Sequence, residues 1–322
     1  MIKKVYCVGL LVCDIPLRPV PASIFSLTRS YIDAPVWGIG GDAANVAVAL
    51  SRLGAKAVLS SAVGKDMYGE FITRRLMEVG VDIRGLKEHP SLGTGVCHVL
   101  IEPEGERHFL PYREILDIID YSYVSEDLIA ESDIVYFGSC MGMAAMDSGG
   151  TGELFKKARS MGKVTVTDFK GNGEMVGDYW LKLFDPVLRN CDILMPSLVE
   201  ARALAGKTEL PEIRDTLSGY GIKTLIVKLG SEGCYLTDFR DEWMIPAFTE
   251  FKAVDTTGAG DSFAAGFIRG LMEGWDNRTA ASFACCIAGH NITKVGATAG
   301  VPDFKTAYNY FRESAGSSNT QS

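Results

Sequence analysis

Apolar residues along this chain fall into short continuous runs separated by stretches with helical spacing. Val5 to Val12 is a near-continuous apolar run, the pattern of a strand buried on both faces. Ala43 to Leu53 reads as a helix stopped by Gly54, Lys56 to Val63 as a strand, and Tyr68 to Val79 as a helix stopped by Gly80. The alternation resumes after residue 130. Ile134 to Phe137, Val164 to Asp168, Ile193 to Met195 and Leu225 to Lys228 predict strands, with helices at 154–161, 179–188 and 198–204 between them. Repeated βαβ units predict an α/β fold, a mostly parallel sheet covered by helices on both faces. Two regions break the pattern. Residues 14–37 and 85–115 carry short β-like segments, among them Val96 to Ile101 and Arg107 to Tyr112 joined by the turn Glu102 to Gly105, and predict a small β lid. One domain over residues 1–313 is expected, with the lid segments inserted into it. Residues 314–322, rich in Ser, Gly, Asn and Gln, are expected to be a frayed tail.

Composition narrows the class of partner. With 47% hydrophobic and 22% charged residues the chain is ordinary globular protein. A net charge of −8 offers no basic footprint for nucleic acid or an anionic membrane. The eight cysteines have no CxxC spacing and no Cys/His cluster, so reduced, buried thiols are expected. Lys3-Lys4 before Val5 to Cys13 superficially resembles a signal peptide, but the apolar run is short, Val12 before Cys13 is bulky, and Asp14 closes the run. No stretch approaches the roughly 18 apolar residues that span a membrane. A cytoplasmic protein is expected.

The chemistry concentrates at Asp255-Thr-Thr-Gly-Ala-Gly-Asp261, which opens the apolar helical pattern Ser262 to Met272. Gly258, Ala259 and Gly260 let the backbone turn sharply and approach a ligand, delivering free amide groups at a helix N-terminus. Such amides, with the helix dipole behind them, bind anions and meet the charge of a migrating phosphoryl group. Asp261, beside that anion site, suits a general base for an attacking alcohol. Alone, an Asp in such a turn is more simply an N-cap. No GxGxxG follows the first strand, which disfavours a nicotinamide dehydrogenase.

Asp255 to Asp261 resembles the C-terminal signature of the ribokinase-like (PfkB) family of carbohydrate kinases. Gly40-Gly-Asp-Ala-Ala-Asn45 resembles its N-terminal GGxxxN signature, Val63-Gly-Lys-Asp66 to Gly69 its VGxDxxG, and Leu229-Gly230 to Gly233 its LGxxG strand-turn. The resemblance implies ATP-dependent phosphorylation of a primary hydroxyl on a small sugar or sugar acid. Asp261 would be the catalytic base and the amides of Gly258, Ala259 and Gly260 the anion hole. Asp14, Gly40, Gly41 and Asn45 would form the sugar site. Lys228, Gly230, Gly233 and Ser197 would line the nucleotide phosphates and ribose. Helix residues 284–293, with Cys285, Ala288 and Gly289, would wall the adenine pocket.

The resemblance also implies cations. Glu200, in Ser197-Leu-Val-Glu200 where the family commonly has NxxE, would order Mg2+ through water, with Asp168 and Asn172 at the neighbouring strand end. A potassium ion, bound by many relatives, would take Asp255, Thr257 and the Gly296-Ala297 loop, although Gly300 stands where several relatives have a hydroxyl.

The substrate remains open at this level. Arg107, His108, Tyr112 and Arg113 are lid candidates, and Arg113 would suit a sugar acid. Asp42, where some ribose-type kinases carry Lys, favours a hydroxylated substrate of ketohexose, fructose or ketodeoxygluconate type. A nucleoside or vitamin kinase of the same superfamily would need an aromatic sandwich, for which Phe25, Tyr31 and Trp37 are available. A catalytically silent binding sensor would have no need of Asp261. Dimerisation through the lid, common among relatives, is a further expectation.

Overall fold

The structure is a computed structural model and describes residues 4–33, 36–170 and 177–318. In chain order the strands are β1 (Lys4–Val8), β2 (Val12–Leu17), β3 (Gly38–Gly40), β4 (Lys56–Gly64), β5 (Asp82–His89), β6 (Val96–Ile101), β7 (Arg107–Tyr112), β8 (Ile134–Cys140), β9 (Val164–Phe169), β10 (Ile193–Leu194), β11 (Thr224–Lys228), β12 (Cys234–Thr237) and β13 (Glu242–Ile245). The helices are α1 (Asp42–Arg52), α2 (Met67–Glu78), α3 (Glu114–Asp117), α4 (Glu126–Glu131), α5 (Thr151–Ser160), α6 (Asp178–Leu188), α7 (Leu198–Ala205), α8 (Leu210–Leu217), α9 (Ala259–Met272), α10 (Asn277–Asn291) and α11 (Phe304–Ser318).

Nine strands form the large sheet in the order β13-β12-β11-β10-β9-β8-β1-β4-β5. Every pairing from β11 to β5 is parallel, and β11-β12-β13 is an antiparallel edge. Side-chain alternation on the central strand sorts the core into two layers. Val5 and Cys7 pack with α1, α9 and α10 on one face, whereas Tyr6 and Val8 pack with α5, α6 and α7 on the other. The strand order reverses beside β1, between β4 and β8, and in open α/β sheets the crevice at the carboxyl ends of such strands binds ligands. The second sheet, β3-β2-β6-β7, is the lid.

Several boundaries differ from the sequence-based expectation. The Val5 to Val12 run breaks at Gly9, whose φ of 145° ends β1 and sends the chain into β2 of the lid. Asp14 thus lies within a lid strand rather than just after a strand of the large sheet. Residues 85–89 belong to β5 on the edge of the large sheet, not to the lid. Its half-exposed pattern hid it, because an edge strand lacks the apolar run of an internal one. β13 escaped for the same reason, and β12, though buried, is only four residues long. The final helix continues through Ser318, past the expected start of the tail at 314. Asn172 and residues 319–322 lie outside the described residues. Among the described residues no helix is long and apolar enough to cross a membrane.

The lid is fastened to the large domain at the third motif. Asp66 caps α2 by accepting from Gly69 N at 2.8 Å, and also accepts from Thr94 N at 2.7 Å and Thr94 Oγ1 at 2.8 Å, just ahead of β6. These donors outweigh its desolvation and hold its carboxyl below the usual range.

Candidate active site

Two helix N-termini meet at the switch point. β3 ends at Gly40, and α1 starts after Gly41, which has φ 90°. A Cβ on Gly40 would stand 2.2 Å from the Asp14 carboxylate, so glycine here makes room for that acid. α9 starts after Gly258, at φ 70°, where a Cβ would lie 2.0 Å from the Ala297 carbonyl oxygen. Across the gap, Asn45 Nδ2 on α1 donates to Asp261 Oδ2 on α9 at 2.8 Å, joining residues 216 positions apart. The other Asp261 oxygen pairs with Lys170 Nζ at 3.2 Å. Asp261 is 3% exposed, and this pair of donors accounts for a buried carboxylate there. The Ala259 amide, one of three expected in the anion site, donates to Thr256 O at 3.2 Å.

One side of the cleft, around Asp14 and Asp42, is strongly acidic. Burial, then the charge of Asp261, pushes the Asp14 carboxyl up to about 7. Burial likewise lifts Asp42 to about 6, against the pull of the Lys170 ammonium. Asp42 Oδ1 accepts from Ser139 Oγ at 2.5 Å and Ala43 N at 2.7 Å. Asp42 Oδ2 and Asn45 Oδ1 are buried with no hydrogen-bond partner, two acceptors left for a ligand's hydroxyls. Desolvation opposes the charged form of Lys170, but Asp261, Asp42, Asp168 and Glu200 together hold its ammonium above the ordinary lysine range.

The other side is a cavity of about 420 Å³. Lys228, Gly230, Gly233, Ala259 and Gly260 line one end, and Phe248, Phe251, Phe263, Cys285, Ala288 and Gly289 give it an apolar body. Of the positions expected to hold the nucleotide, Lys228, Gly230, Gly233, Cys285 and Gly289 line this one cavity, and Ser197 does not. Gly289 has a packing reason as well, since a Cβ there would stand 2.3 Å from the Phe251 ring. Lys228 reaches back to pair with Asp168, which is fully buried at the end of β9. Burial pushes Asp168 up while the Lys228 ammonium opposes it.

The residues expected to serve cations are already engaged. Ser197 and Glu200 form a reciprocal capping box at the start of α7, with Ser197 N donating to Glu200 Oε2 at 2.7 Å. Among the described residues no group of three or more His, Cys, Asp or Glu side chains is arranged to hold a metal. A magnesium ion here would draw most of its ligands from water and phosphate oxygens, as Mg2+ usually does. Asp168 and Glu200, whose charge is close enough to help raise the Asp168 carboxyl, fit an outer role through water.

The potassium expectation is corrected. Arg107 crosses from the lid and donates through Nη1 to Asp255 Oδ1 at 2.8 Å and through Nη2 to Thr256 Oγ1 at 2.8 Å, with Thr257 Oγ1 also in contact. Asp255 accepts further from Thr257 N at 2.9 Å and Gly296 N at 2.9 Å. A guanidinium thus neutralises the carboxylate expected to bind the ion, and these residues do not fit a potassium ion beside it. Gly300 cannot carry a side chain, because a Cβ would stand 2.4 Å from the carbonyl oxygens of His290 and Asn291.

Other lid expectations also change. Arg113 Nη2 donates to Asp117 Oδ1 at 2.7 Å and to the Gly142 carbonyl, so it is not a free carboxylate receptor. His108 pairs with Glu102, and Tyr112 donates to Glu114. The aromatic trio does not form a sandwich. Trp37 packs on Tyr68 and Phe71 of α2, while Phe25 is 95% and Tyr31 77% exposed. Two residues with prominent roles, Arg107 as the loop's counterion and Lys170 beside Asp261, were not assigned these roles from sequence. The one local signal was Lys170 lying two places after Asp168 at a strand end.

A helix start that opens to a nucleotide-sized apolar cavity on one side and to hydroxyl acceptors on the other is suited to moving a phosphoryl group between them, which places the chain among the α/β phosphotransferases. The family model described as "pfkB family carbohydrate kinase" matches residues 2–303, and the chain belongs to that family. It is a sugar kinase. It is 29% identical over 276 residues to a 5-dehydro-2-deoxygluconokinase of Clostridium perfringens, covering 80% of each chain. Its fold matches a crystal structure of ribokinase from Thermotoga maritima with a TM-score of 0.83 at 22% identity, covering 97% of this chain and all of the other. It also matches a fructokinase with bound ATP from Xylella fastidiosa, TM-score 0.82 at 22% identity, over 98% of this chain and all of that one.

Proposed function

We propose that this kinase transfers the γ-phosphoryl group of ATP to a primary hydroxyl of a small polyhydroxylated substrate, a ketohexose-like sugar or related sugar acid. The observation that carries this reading is the Asn45 to Asp261 contact, which sets a buried base between the acidic pocket and the helix start. Mg2+-bound ATP supplies the electrophilic phosphorus and a neutralised leaving group. Asp14, Asp42 Oδ2 and Asn45 Oδ1 accept from substrate hydroxyls and orient one of them. Asp261 accepts that hydroxyl's proton as its oxygen attacks. The Gly258 and Gly260 amides at the start of α9 and the Lys228 ammonium meet the phosphate charge, while Arg107 keeps the lid against the anion-site loop and excludes water. A nucleoside acceptor is disfavoured, because Trp37 is spent on α2. Eight free, buried cysteines support a reducing, cytoplasmic setting.

The direct test is Mg-ATP turnover over a panel of ketoses, aldoses, sugar acids and nucleosides. A preference for nucleosides would overturn the substrate class. A second prediction concerns Asp14. With its carboxyl near 7, it accepts from hydroxyls fully only above neutrality, and kcat/KM for the sugar is expected to fall as pH drops through about 7. Asp14→Asn should give a low kcat/KM that lacks this inflection. An unchanged inflection in that variant would assign it to another group.

A further inference from the structure

We propose that Lys170 is a positioning residue of the reaction, holding the Asp261 carboxylate aimed at the attacking hydroxyl until its proton arrives. This rests on the function proposed above. The geometry is divided between two donors, with Asn45 fixing Oδ2 and Lys170 facing Oδ1 of the same buried carboxylate. An amide alone orients a carboxylate; an ammonium also favours its charged form, which is the form a base must have. Lys170 extends from the carboxyl end of β9, and its side chain is 38% exposed while that of Asp261 is 4% exposed, so the cation sits on the open side of the pair.

The step balances without Lys170 giving up a proton. The substrate hydroxyl's proton passes to Asp261, the new O–P bond forms, and the bond from phosphorus to the leaving oxygen breaks with its electron pair going to ADP. Asp261 becomes neutral as the phosphoryl oxygens arrive beside it. The ammonium loses one anion and gains another, so its charge is useful before and after the transfer. Lys170 acts here as a cation paired with Asp261, not as the base.

The groups that face this pair are known. Asp261 feels Asp14 from β2, Asp42 from α1 and Tyr136 from β8, and Lys170 feels Asp42, Asp168 of β9 and Glu200 of α7. Lys228 of β11 is tied to Asp168. A merely compensating charge would stabilise this acidic region without setting the protonation of Asp261, and the two roles separate experimentally.

The experiment compares wild type, Lys170→Gln and Lys170→Arg by melting temperature, ATP affinity and the pH profile of kcat. Wild-type turnover of a sugar in the same assay is the control for the function itself; its absence would sink that reading and not this one. With turnover present, Lys170→Gln is expected to lower kcat on the order of 10²-fold. Its acid limb should move upward by about one pH unit or more, with ATP affinity little changed, and Lys170→Arg should keep the limb near its original position. An acid limb unmoved in Lys170→Gln, whether or not the protein is destabilised, would overturn the proposal. Should Lys170→Gln fail to fold, Lys170→Met decides in its place: an acid limb that moves upward supports the proposal, and one that stays does not.

Discussion

Asp261→Asn is expected to lower kcat by about 10³–10⁴-fold while ATP affinity changes little. The substituted side chain has nearly the same shape, so Asn45 can still donate to its oxygen. Two things are lost. The amide takes no proton from an attacking hydroxyl, and its nitrogen turns two hydrogens toward a region where the Lys170 ammonium stands 3.2 Å from the native oxygen. The nucleotide cavity is lined by the other side of α9 and by α10, so ATP binding measured by calorimetry should persist. Turnover within tenfold of wild type would remove Asp261 as the base.

Gly258→Ala should be nearly as damaging, for a backbone reason. The position combines φ 70° with an ideal Cβ only 2.0 Å from the Ala297 carbonyl oxygen, and a backbone atom cannot swing aside as a flexible side chain can. The start of α9 must shift, and with it the amides that meet the phosphoryl group. A loss of about 10²–10³ in kcat is expected, the scale of removing one preorganised donor. Gly54→Ala is the control, because Gly54 has φ 74° with nothing within 4 Å of its Cβ. It should show only the left-handed strain, about 1 kcal/mol, with kcat unchanged. Equal losses in both variants would mean that strain, not displacement of the helix start, is responsible.

The pattern of apolar runs located most parallel strands because those strands are buried on both faces, and burial leaves a contiguous signature. It missed β5 and β13, edge strands where one face meets solvent and the signature thins, and β12, which is buried but only four residues long. The turn residues of the two glycine-rich motifs were legible for a related reason. Gly40, Gly41 and Gly258 answer to local backbone geometry and close contacts that no other residue satisfies, so composition alone marks the spot.

Long side chains obey no such rule. Arg107 was a lid residue available for a substrate, and its guanidinium instead lies on Asp255, 148 positions away. Arg113 turned to Asp117, and Trp37 to α2. Lys170 carried no assigned role in the sequence, and only the fold brings it beside Asp261. A flexible side chain finds its partner through the packing of distant elements, and each of these choices followed from where the lid sheet and the ends of β9 and α9 were placed.

By itself the sequence determined the layered α/β fold and the two glycine-rich helix starts, because each depends on local periodicity or on a backbone conformation with few permitted residues. The tertiary structure alone decided which charges meet. It set Asn45 and Lys170 on the two oxygens of Asp261, left Asp42 Oδ2 without a partner, and gave the Asp255 carboxylate a guanidinium as its counterion. Those pairings depend on distances between residues far apart in the chain, and electrostatic energies at such short range are set by those distances and by the burial that comes with them.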